Sequence, residues 1–245
     1  MLMTPHLKLE KGQISPYVLV CGDPARALET AKLCDSYEEL VYNREYRSFN
    51  ALFNEEKITI VSHGVGSAGA SICFNELITA GAKVIVRAGT CGALQDSLGQ
   101  GDLIVASGAV REDGVSPLMV PLAYPAIADA EVLCALEKSC RSLNAVYSRG
   151  IILTSDLFYP SVLPTSLETY KNAKVAGVEM ECASLFVIAT LGGVRAGAVA
   201  TVDGNPLKWN EGDYDPYGEK VATGKQKMLL VALGALSEMS KTGLI

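Results

Sequence analysis

Arginines beside glycine turns are the residues of this sequence that could most directly do chemistry. Arg26 follows a glycine turn at residues 22–24, and Arg87 lies just before Gly89 and Thr90. Guanidinium groups hold oxyanions through paired hydrogen bonds, and glycines let backbone amides come close to an anion. Each of the two stretches therefore predicts part of a binding site for a small anion. For Arg26 taken alone, a capped surface helix with a solvated arginine is an open alternative.

Three carboxylates stand in apolar surroundings further along the chain. Glu179 and Glu181 flank Met180 inside an apolar stretch, and on an extended backbone the two acids share a face. Asp203 follows the last apolar run of the chain. Carboxylates are rarely buried without a partner, so Glu179 and Glu181 are expected to have one. An acid-rich first turn of a helix is an alternative for the two glutamates.

The predicted elements bring the anion-binding residues to one edge of a sheet. Residues 57–62 and 83–87 are short β-branched runs separated by a stretch of helical periodicity, and together they predict a βαβ unit. Such a unit joins parallel strands by a right-handed crossover, and ligands collect beyond the carboxyl ends of those strands. Arg87 and Thr90 come at such an end, so we expect them to face the ligand.

Further apolar runs complete an α/β chain. Strands are predicted over residues 17–21, 49–53, 102–110, 145–155 and 195–202, and helices over residues 24–34, 126–143 and 219–236. The polar and aromatic residues 41–48 are interpreted as a loop, and the turn-rich residues 207–217 as a lid. Residues 1–245 are expected to form a single domain, because the sequence shows neither a linker nor a repeat.

Residues 64–69 match the G-x-G-x-x-G pattern of dinucleotide-binding proteins, and they lie between a predicted strand and a helix as that pattern requires. A dinucleotide site places an acid at the tip of the next strand, whereas this chain has Arg87 there. The arginine disfavours NAD but suits the extra phosphate of NADP. An NADP-dependent oxidoreductase is therefore one alternative, and glycines that only let a helix pack on a strand are another.

The bulk composition narrows the class of protein. The 245 residues carry a net charge of -6, which disfavours a nucleic-acid surface. Seven cysteines without paired metal-ligand spacing favour free thiols in a reducing compartment and a site without a metal. The first 13 residues do not contain the apolar core of a signal peptide, and residues 182–194 are too short to span a bilayer. We therefore expect a cytoplasmic protein without a membrane segment.

Seven segments in order resemble the signatures of the nucleoside phosphorylase-I family, and the likeness covers nearly the whole chain. They are GDPARA, NREYRS, SHGVGSAGA, VRAGTCGAL, SDLFYP, VEMECA and TVDG. Within the family the chain is most similar to the hexameric purine nucleoside phosphorylases, particularly the apicomplexan-parasite type. The resemblance implies a three-layer α/β/α fold with a mixed, partly barrel-like central sheet. It also implies a homohexamer built as a trimer of dimers.

The resemblance assigns roles to individual residues. It implies that phosphate is bound by Gly22, Arg26, Arg87 and Thr90, together with Arg44 from the neighbouring subunit. It implies that the nucleoside is bound by Cys91, Gly92, Tyr159, Val178, Glu179, Met180, Glu181, Asp203 and Trp209, and by His6 from across the dimer. In this scheme Glu181 binds the ribose hydroxyls above Met180, and His6 reaches the 5′-hydroxyl. Asp203 faces the purine N7, and with Glu181 it forms the catalytic pair.

The reaction implied is reversible phosphorolysis of a purine ribonucleoside, with inosine or guanosine expected, to the free base and ribose 1-phosphate. Inorganic phosphate is then a co-substrate, and neither a cofactor nor a metal is expected. Asp203 has to be protonated to donate to the base, and burial in an apolar pocket favours that state. Bacterial hexameric enzymes pair this aspartate with a lid arginine, but this chain has no arginine after Asp203. Thr90 stands where serine is common and retains the hydroxyl.

Three other functions compete on the same sequence features. Uridine phosphorylases place a glutamine and an arginine after the SDxFYP segment, whereas residues 161–163 here are Ser-Val-Leu, which favours purines. The related nucleosidases lack the phosphate arginines, but Arg26, Arg44 and Arg87 are all present. A nucleoside-binding protein without catalysis would need only the fold.

Overall fold

The computed structural model describes residues 3–244 and contains a ten-stranded mixed sheet with helices on both faces. The strands are β1 Tyr17–Cys21, β2 Ser36–Asn43, β3 Tyr46–Phe53, β4 Glu56–Ser62, β5 Val84–Ala93, β6 Leu103–Glu112, β7 Ala126–Ile127, β8 Tyr147–Ser155, β9 Gly177–Glu179 and β10 Arg195–Gly204. The α-helices are α1 Pro24–Lys32, α2 Ser67–Ala80, α3 Ser116–Met119, α4 Ala130–Ser142, α5 Leu167–Asn172, α6 Cys182–Leu191 and α7 Glu219–Thr242, and a 3₁₀-helix spans Pro206–Glu211.

Five of the strands close into a barrel. Strand β5 pairs with β10, β10 with β6, β6 with β8, β8 with β9, and β9 returns to β5. On its other side β5 pairs with β1, and the sheet continues through β4 and β3 to β2. The central sheet is therefore partly an open sheet and partly a barrel, as the family resemblance predicted.

Helices cover this sheet on two sides and complete three layers. On one side, α2 and α6 contribute Phe74, Leu77 and Phe186 to a buried cluster. On the other side, α1, α4 and α7 contribute residues such as Leu136 and Leu233 to a second cluster. Burial of apolar side chains on both faces supplies the main force that holds such layers together. The predicted α/β/α class is confirmed.

Local sequence explains where the site-bearing helices begin. Helix α1 starts at Pro24, whose fixed φ suits the first turn, and the Asp23 side chain caps it by accepting from the Ala25 amide at 2.8 Å. Helix α2 follows Gly66, which has φ +87°. Such a φ is accessible to glycine at little cost, so this glycine sets the sharp entry into the helix.

Two site strands extend beyond their predicted ends. Strand β5 does not stop at residue 87 but runs to Ala93, because its second half pairs with β10 and β9. Strand β10 likewise continues to Gly204. Thr90 and Asp203 were expected past strand ends and Arg87 at the last residue of a strand, and these expectations are wrong because all three residues lie within strands.

Three further boundaries differ from the sequence-based expectation. Residues 41–48 are not a loop, since they belong to the β2–β3 hairpin, which turns at Arg44 with φ +58°. Helix α4 begins at residue 130 rather than 126, because Asp129 caps it and residues 126–127 pair with β6. Helix α7 continues to Thr242, six residues past its expected end. Within residues 3–244, no helix is both long and apolar enough to cross a membrane.

Candidate active site

A cavity of about 840 Å³ opens where β1, β5, β9 and β10 meet, and it gathers most of the residues that the sequence singled out. Thirteen of the fifteen predicted site residues line it, namely Gly22, Arg26, Arg87, Thr90, Cys91, Gly92, Tyr159, Val178, Glu179, Met180, Glu181, Asp203 and Trp209. The remaining two, His6 and Arg44, lie outside it. One cavity thus joins the two predicted anion-binding stretches to the three buried acids.

The cationic end of the cavity is built by two arginines, one from a helix and one from a strand. Arg26 comes from the first turn of α1 and Arg87 from β5. Arg87 is only 4% exposed, and its Nη1 lies 3.2 Å from Glu179 while its Nη2 pairs with Glu181. Its Nε is buried and finds no hydrogen-bond partner within residues 3–244. A buried donor without a partner is costly, so the position of Arg87 is one that its ion pairs with Glu179 and Glu181 have to stabilise.

Glu179 serves the protein framework of the site. It accepts from the Thr154 hydroxyl at 2.5 Å and from the backbone amides of Glu181 and Cys182 at 2.8 and 3.0 Å. Burial raises the pKa of Glu179, and the Arg87 guanidinium opposes that shift only in part. The residue therefore caps the start of α6 and anchors Arg87.

Glu181 occupies the position just before α6 and faces the cavity. One of its oxygens accepts from the Gly66 amide at 2.6 Å, and the other pairs with Arg87. Burial alone would raise the pKa of Glu181, but Arg87 and the Gly66 amide lower it, and the net shift is downward. Glu181 is thus a carboxylate held ionised, suited to accept hydrogen bonds from hydroxyl groups. The sequence allowed an extended segment or a helix start for the two glutamates. Glu179 lies in the extended strand β9, and Glu181 is the residue before helix α6.

Asp203 stands on a bulge of β10. Its neighbours Val202 and Gly204 pair with the consecutive residues Cys91 and Gly92, so Asp203 is the extra residue of the strand. Bulges redirect side chains, and this one turns a carboxyl toward the cavity. Burial raises the pKa of Asp203 to about 6, an effect that the Thr90 hydroxyl partly offsets. This carboxyl can therefore hold and release a proton near neutral pH.

Four aromatic rings form the outer wall of the cavity. Tyr159 and Trp209 are stacked, with centroids 5.9 Å apart and planes 19° from parallel. Phe158 and Tyr214 pack against Trp209 at 5.3 and 5.2 Å. The sequence had singled out Tyr159 and Trp209 as site residues. Tyr214 was not among them, although its place in the same turn-rich stretch as the only tryptophan was a usable signal. Such a wall suits a planar heterocycle.

His6 and Arg44 both lie at the surface of the chain. The His6 Nδ1 is 2.6 Å from Glu76 on α2, and the same carboxylate accepts from the backbone amides of His6 and Leu7. Arg44 stands at the tip of the β2–β3 hairpin, 3.4 Å from Glu45, with two thirds of its side chain exposed. Their service to the site of a partner subunit stays a prediction.

The glycine-rich loop 64–69 is filled by protein carboxylates. The Gly66 amide donates to Glu181, and a Cβ built on Gly64 would lie 2.8 Å from the Cγ of Glu45. A dinucleotide diphosphate would need those amides and that space. The loop therefore serves to orient Glu181, and the dinucleotide interpretation loses its main support.

Comparison with known proteins agrees with this site. The Phosphorylase superfamily profile matches residues 16–237. The chain is 47% identical to a purine nucleoside phosphorylase of Plasmodium vivax over 98% of each chain. Its structure matches a purine nucleoside phosphorylase from Toxoplasma gondii in complex with immucillin-H, with a TM-score of 0.96 and 40% identity over 99% of this chain and 98% of that one. A uridine phosphorylase of Thermococcus kodakarensis is 34% identical over 90% of this chain and 83% of its own.

The chain belongs to the phosphorylase superfamily. Within it, the chain is similar over nearly its full length to purine nucleoside phosphorylases of apicomplexan parasites. The resemblance that the seven sequence segments indicated is confirmed.

Proposed function

We propose that this protein catalyses the reversible phosphorolysis of purine ribonucleosides, with inosine and guanosine as the preferred substrates. The observation that carries the proposal is the arrangement of one cavity, with Arg26 and Arg87 at one end and the protonatable Asp203 near the aromatic wall. The similarity to purine nucleoside phosphorylases supports the same reaction. Phosphate is a co-substrate in this proposal, and the reaction uses neither a cofactor nor a metal.

The cationic end would hold the nucleophile. Phosphate oxygens accept from Arg26, from the Arg87 guanidinium and from the Thr90 hydroxyl, beside the backbone of Gly22. Fixed guanidinium donors keep the dianion oriented toward the sugar, and this converts an encounter between two molecules into a step within one complex. Glu181, held ionised, accepts from the ribose hydroxyls and sets the sugar between phosphate and base.

The part of the cavity formed by Asp203 and the aromatic wall would take the leaving group. A phosphate oxygen forms a bond to ribose C1′ while the bond from C1′ to the purine nitrogen breaks, and its electron pair goes to the base. Asp203 gives its proton to purine N7, so the base leaves as a neutral molecule. The aromatic wall of Tyr159 and Trp209 holds the ring plane during this transfer.

The same proposal includes an assembly of subunits. His6 and Arg44 would complete the cavity of a neighbouring subunit in a hexamer of three dimers, His6 at the ribose 5′-hydroxyl and Arg44 at the phosphate. Their exposure at the surface of a single chain is compatible with that role. The free thiols of Cys21 and Cys91 suit a reducing compartment, and this supports a cytoplasmic location.

Phosphate dependence tests the proposed reaction. Inosine, guanosine, adenosine, 5′-methylthioinosine and uridine would be incubated with the protein in phosphate buffer and in phosphate-free buffer. We expect release of hypoxanthine and guanine, with ribose 1-phosphate, in phosphate buffer alone. Equal release without phosphate would make the protein a nucleosidase, and preferential release of uracil would make it a uridine phosphorylase.

A further inference from the structure

Lys225 on α7 is tied to the segment that covers the cavity, residues 205–217. Its Nζ donates to the Pro216 carbonyl at 2.7 Å and lies 6.0 Å from the ring centre of Tyr217. The side chain is partly buried, so this hydrogen bond is shielded from water. A charged donor bonded to a carbonyl is stronger than a neutral one.

The covering segment is in turn bonded to the strand that carries Asp203. The Asn205 amide donates to the Asp213 carbonyl at 2.9 Å, and the Asp215 amide donates to the Asp203 carbonyl at 3.2 Å. Between these bonds, Tyr214 forms a bridge with Gly204. Lys225 therefore holds the residue that follows Asp215, at the end of this short antiparallel contact where Asp215 is bonded to the backbone of Asp203.

Lys225 also contributes charge to the site. The ammonium group is close enough to the Asp203 carboxyl to lower its pKa, against the larger rise caused by burial. The other groups that influence or face that carboxyl are Thr90 and Cys91 of β5, Arg26 of α1 and Tyr214 of the covering segment. Burial, followed by repulsion from Arg26, lowers the pKa of Lys225 itself. The Lys225 cation thus influences both Arg26 and Asp203 without lining the cavity.

We propose that Lys225 is a positioning residue for the phosphorolysis proposed above, one that holds residues 213–217 against β10 and places a cation near Asp203 from outside the cavity. Two consequences follow for the reaction. Tyr214 and Trp209 depend on Lys225 for their place in the aromatic wall. The proton affinity of Asp203 depends on the Lys225 charge. The kinetic effects of this inference rest on the proposed function, whereas the anchoring of residues 213–217 does not.

Three variants separate these effects. Lys225→Met removes both the hydrogen bond and the charge at nearly the same length, Lys225→Arg keeps both, and Lys220→Met removes an exposed charge from the start of the same helix. With Lys225→Met we expect the KM for inosine to rise about 3- to 10-fold, the effect of losing one hydrogen bond that orders a binding surface. Lys225→Arg should restore most of that loss, and Lys220→Met should match the parent protein.

The pH profile distinguishes a positioning role from a merely structural one. Loss of the nearby cation raises the pKa of Asp203, so the alkaline limb of kcat/KM should move to higher pH in Lys225→Met and stay in place in Lys220→Met. The substrates titrate equally in every variant, so a difference between variants reports on the protein. An unchanged limb together with an unchanged KM would overturn the inference while leaving phosphorolysis intact.

Amide hydrogen exchange tests the structural half without any activity. Peptides covering residues 203–217 should exchange faster in Lys225→Met than in the parent protein or in Lys220→Met, because the segment loses its hydrogen bond to α7. Equal exchange in all three proteins would refute the anchoring role. An absence of phosphorolysis in the parent protein would instead refute the proposed function, and the exchange result would still decide on the anchor.

Discussion

The guanidinium of Arg87 lies directly over Gly89, two residues further along the same strand. A methyl group built on Gly89 would stand 2.2 Å from Nη1 and 2.7 Å from Cζ of Arg87. The absence of a side chain at Gly89 therefore leaves room for the Arg87 guanidinium. In that place the guanidinium reaches Glu179 and Glu181.

Gly89→Ala should displace Arg87 and leave two buried carboxylates without their cation. Breaking a buried ion pair costs about 3 kcal/mol, so we expect the free energy of unfolding to fall by about that amount. The KM for phosphate should rise about tenfold or more, because a misplaced fork no longer holds the oxyanion. Chemical denaturation and phosphate-dependent kinetics measure the two effects.

Gly99→Ala is the matched control for this substitution. A Cβ at Gly99 would meet only the Asp102 carboxylate, at an ordinary 3.8 Å. We expect its free energy of unfolding to change by less than about 0.5 kcal/mol. If Gly89→Ala behaved like this control in both measurements, Arg87 would not depend on the glycine.

Asp203→Asn should lower the activity and raise the stability of the fold. The amide cannot donate an acidic proton, so kcat should fall by about 10²- to 10⁴-fold, and the limb of the pH profile near 6 should vanish. The folded state raises the pKa of Asp203 to about 6, so ionisation of this group costs stability as pH rises from about 4 through 6. At pH 7.5 the free energy of unfolding of the variant should therefore be about 1–3 kcal/mol higher than that of the parent protein.

Two measurements check these two effects. Denaturation at pH 7.5 and at pH 4 should show a larger gain for Asp203→Asn at the higher pH, because near pH 4 the folded parent keeps this carboxyl neutral and most of the cost of its ionisation is absent. Undiminished turnover by the variant would remove Asp203 from the role of proton donor.

His63 should make the fold sensitive to mild acid. It is fully buried, its Nδ1 lies 2.8 Å from the Gly64 carbonyl, and its Nε2 has no partner in the part of the chain described. Burial lowers the pKa of His63 to about 4, whereas the unfolded chain takes up the proton near 6.5. The unfolded state binds more protons in that interval, so stability should fall as pH drops from about 6.5 to about 4.

A comparison with His63→Asn isolates this contribution from that of the acids. The amide keeps a donor near the Gly64 carbonyl but does not titrate. The free energy of unfolding of the variant should therefore depend less steeply on pH between 6.5 and 4.5. The difference in slope should correspond to at most one proton taken up on unfolding. Parallel slopes for the two proteins would contradict the assignment.

Mixed subunits test whether Arg44 completes a neighbouring site. Arg44→Ala and Asp203→Ala should each be nearly inactive as pure proteins. In a mixed dimer, the site that keeps its own Asp203 receives Arg44 from the other subunit, so random mixing should restore activity to about a quarter of the parent level. Unfolding, mixing and refolding of the two variants provides the sample, and each variant refolded alone is the control. A mixture no more active than its components would place Arg44 outside any shared site.

The sequence revealed most of the fold because its buried strands are short apolar runs. The runs that became β1, β4 and β10 were placed within a few residues of their observed bounds. The edge strand β2 was missed because its side chains are largely exposed and its composition is that of a loop. The second half of β5 was missed because its glycines and threonine resemble a turn, and only pairing with distant strands makes it extended.

The site was predictable in its residues and less so in its geometry. Arg26, Arg87 and Glu181 were identified because charged groups next to apolar residues or glycines are costly unless they bind a partner. The structure gathers the three residues in one cavity. The bulge that turns Asp203 inward depends on a register between β10 and β5, which a single segment does not encode. Lys225 gave no local signal, since a lysine on an amphipathic helix is ordinarily solvated.

The closed barrel of five strands forms a rigid part of the cavity, and connecting segments form a part whose sequence can vary. Every strand of that barrel is bonded on both sides, so the floor that carries Thr90 and Asp203 is fixed. The aromatic wall is instead supplied by two connecting stretches, which hold Tyr159 and Trp209. Substitutions in these two stretches alone can therefore change which base the cavity accepts, while the strands that carry the catalytic residues stay the same.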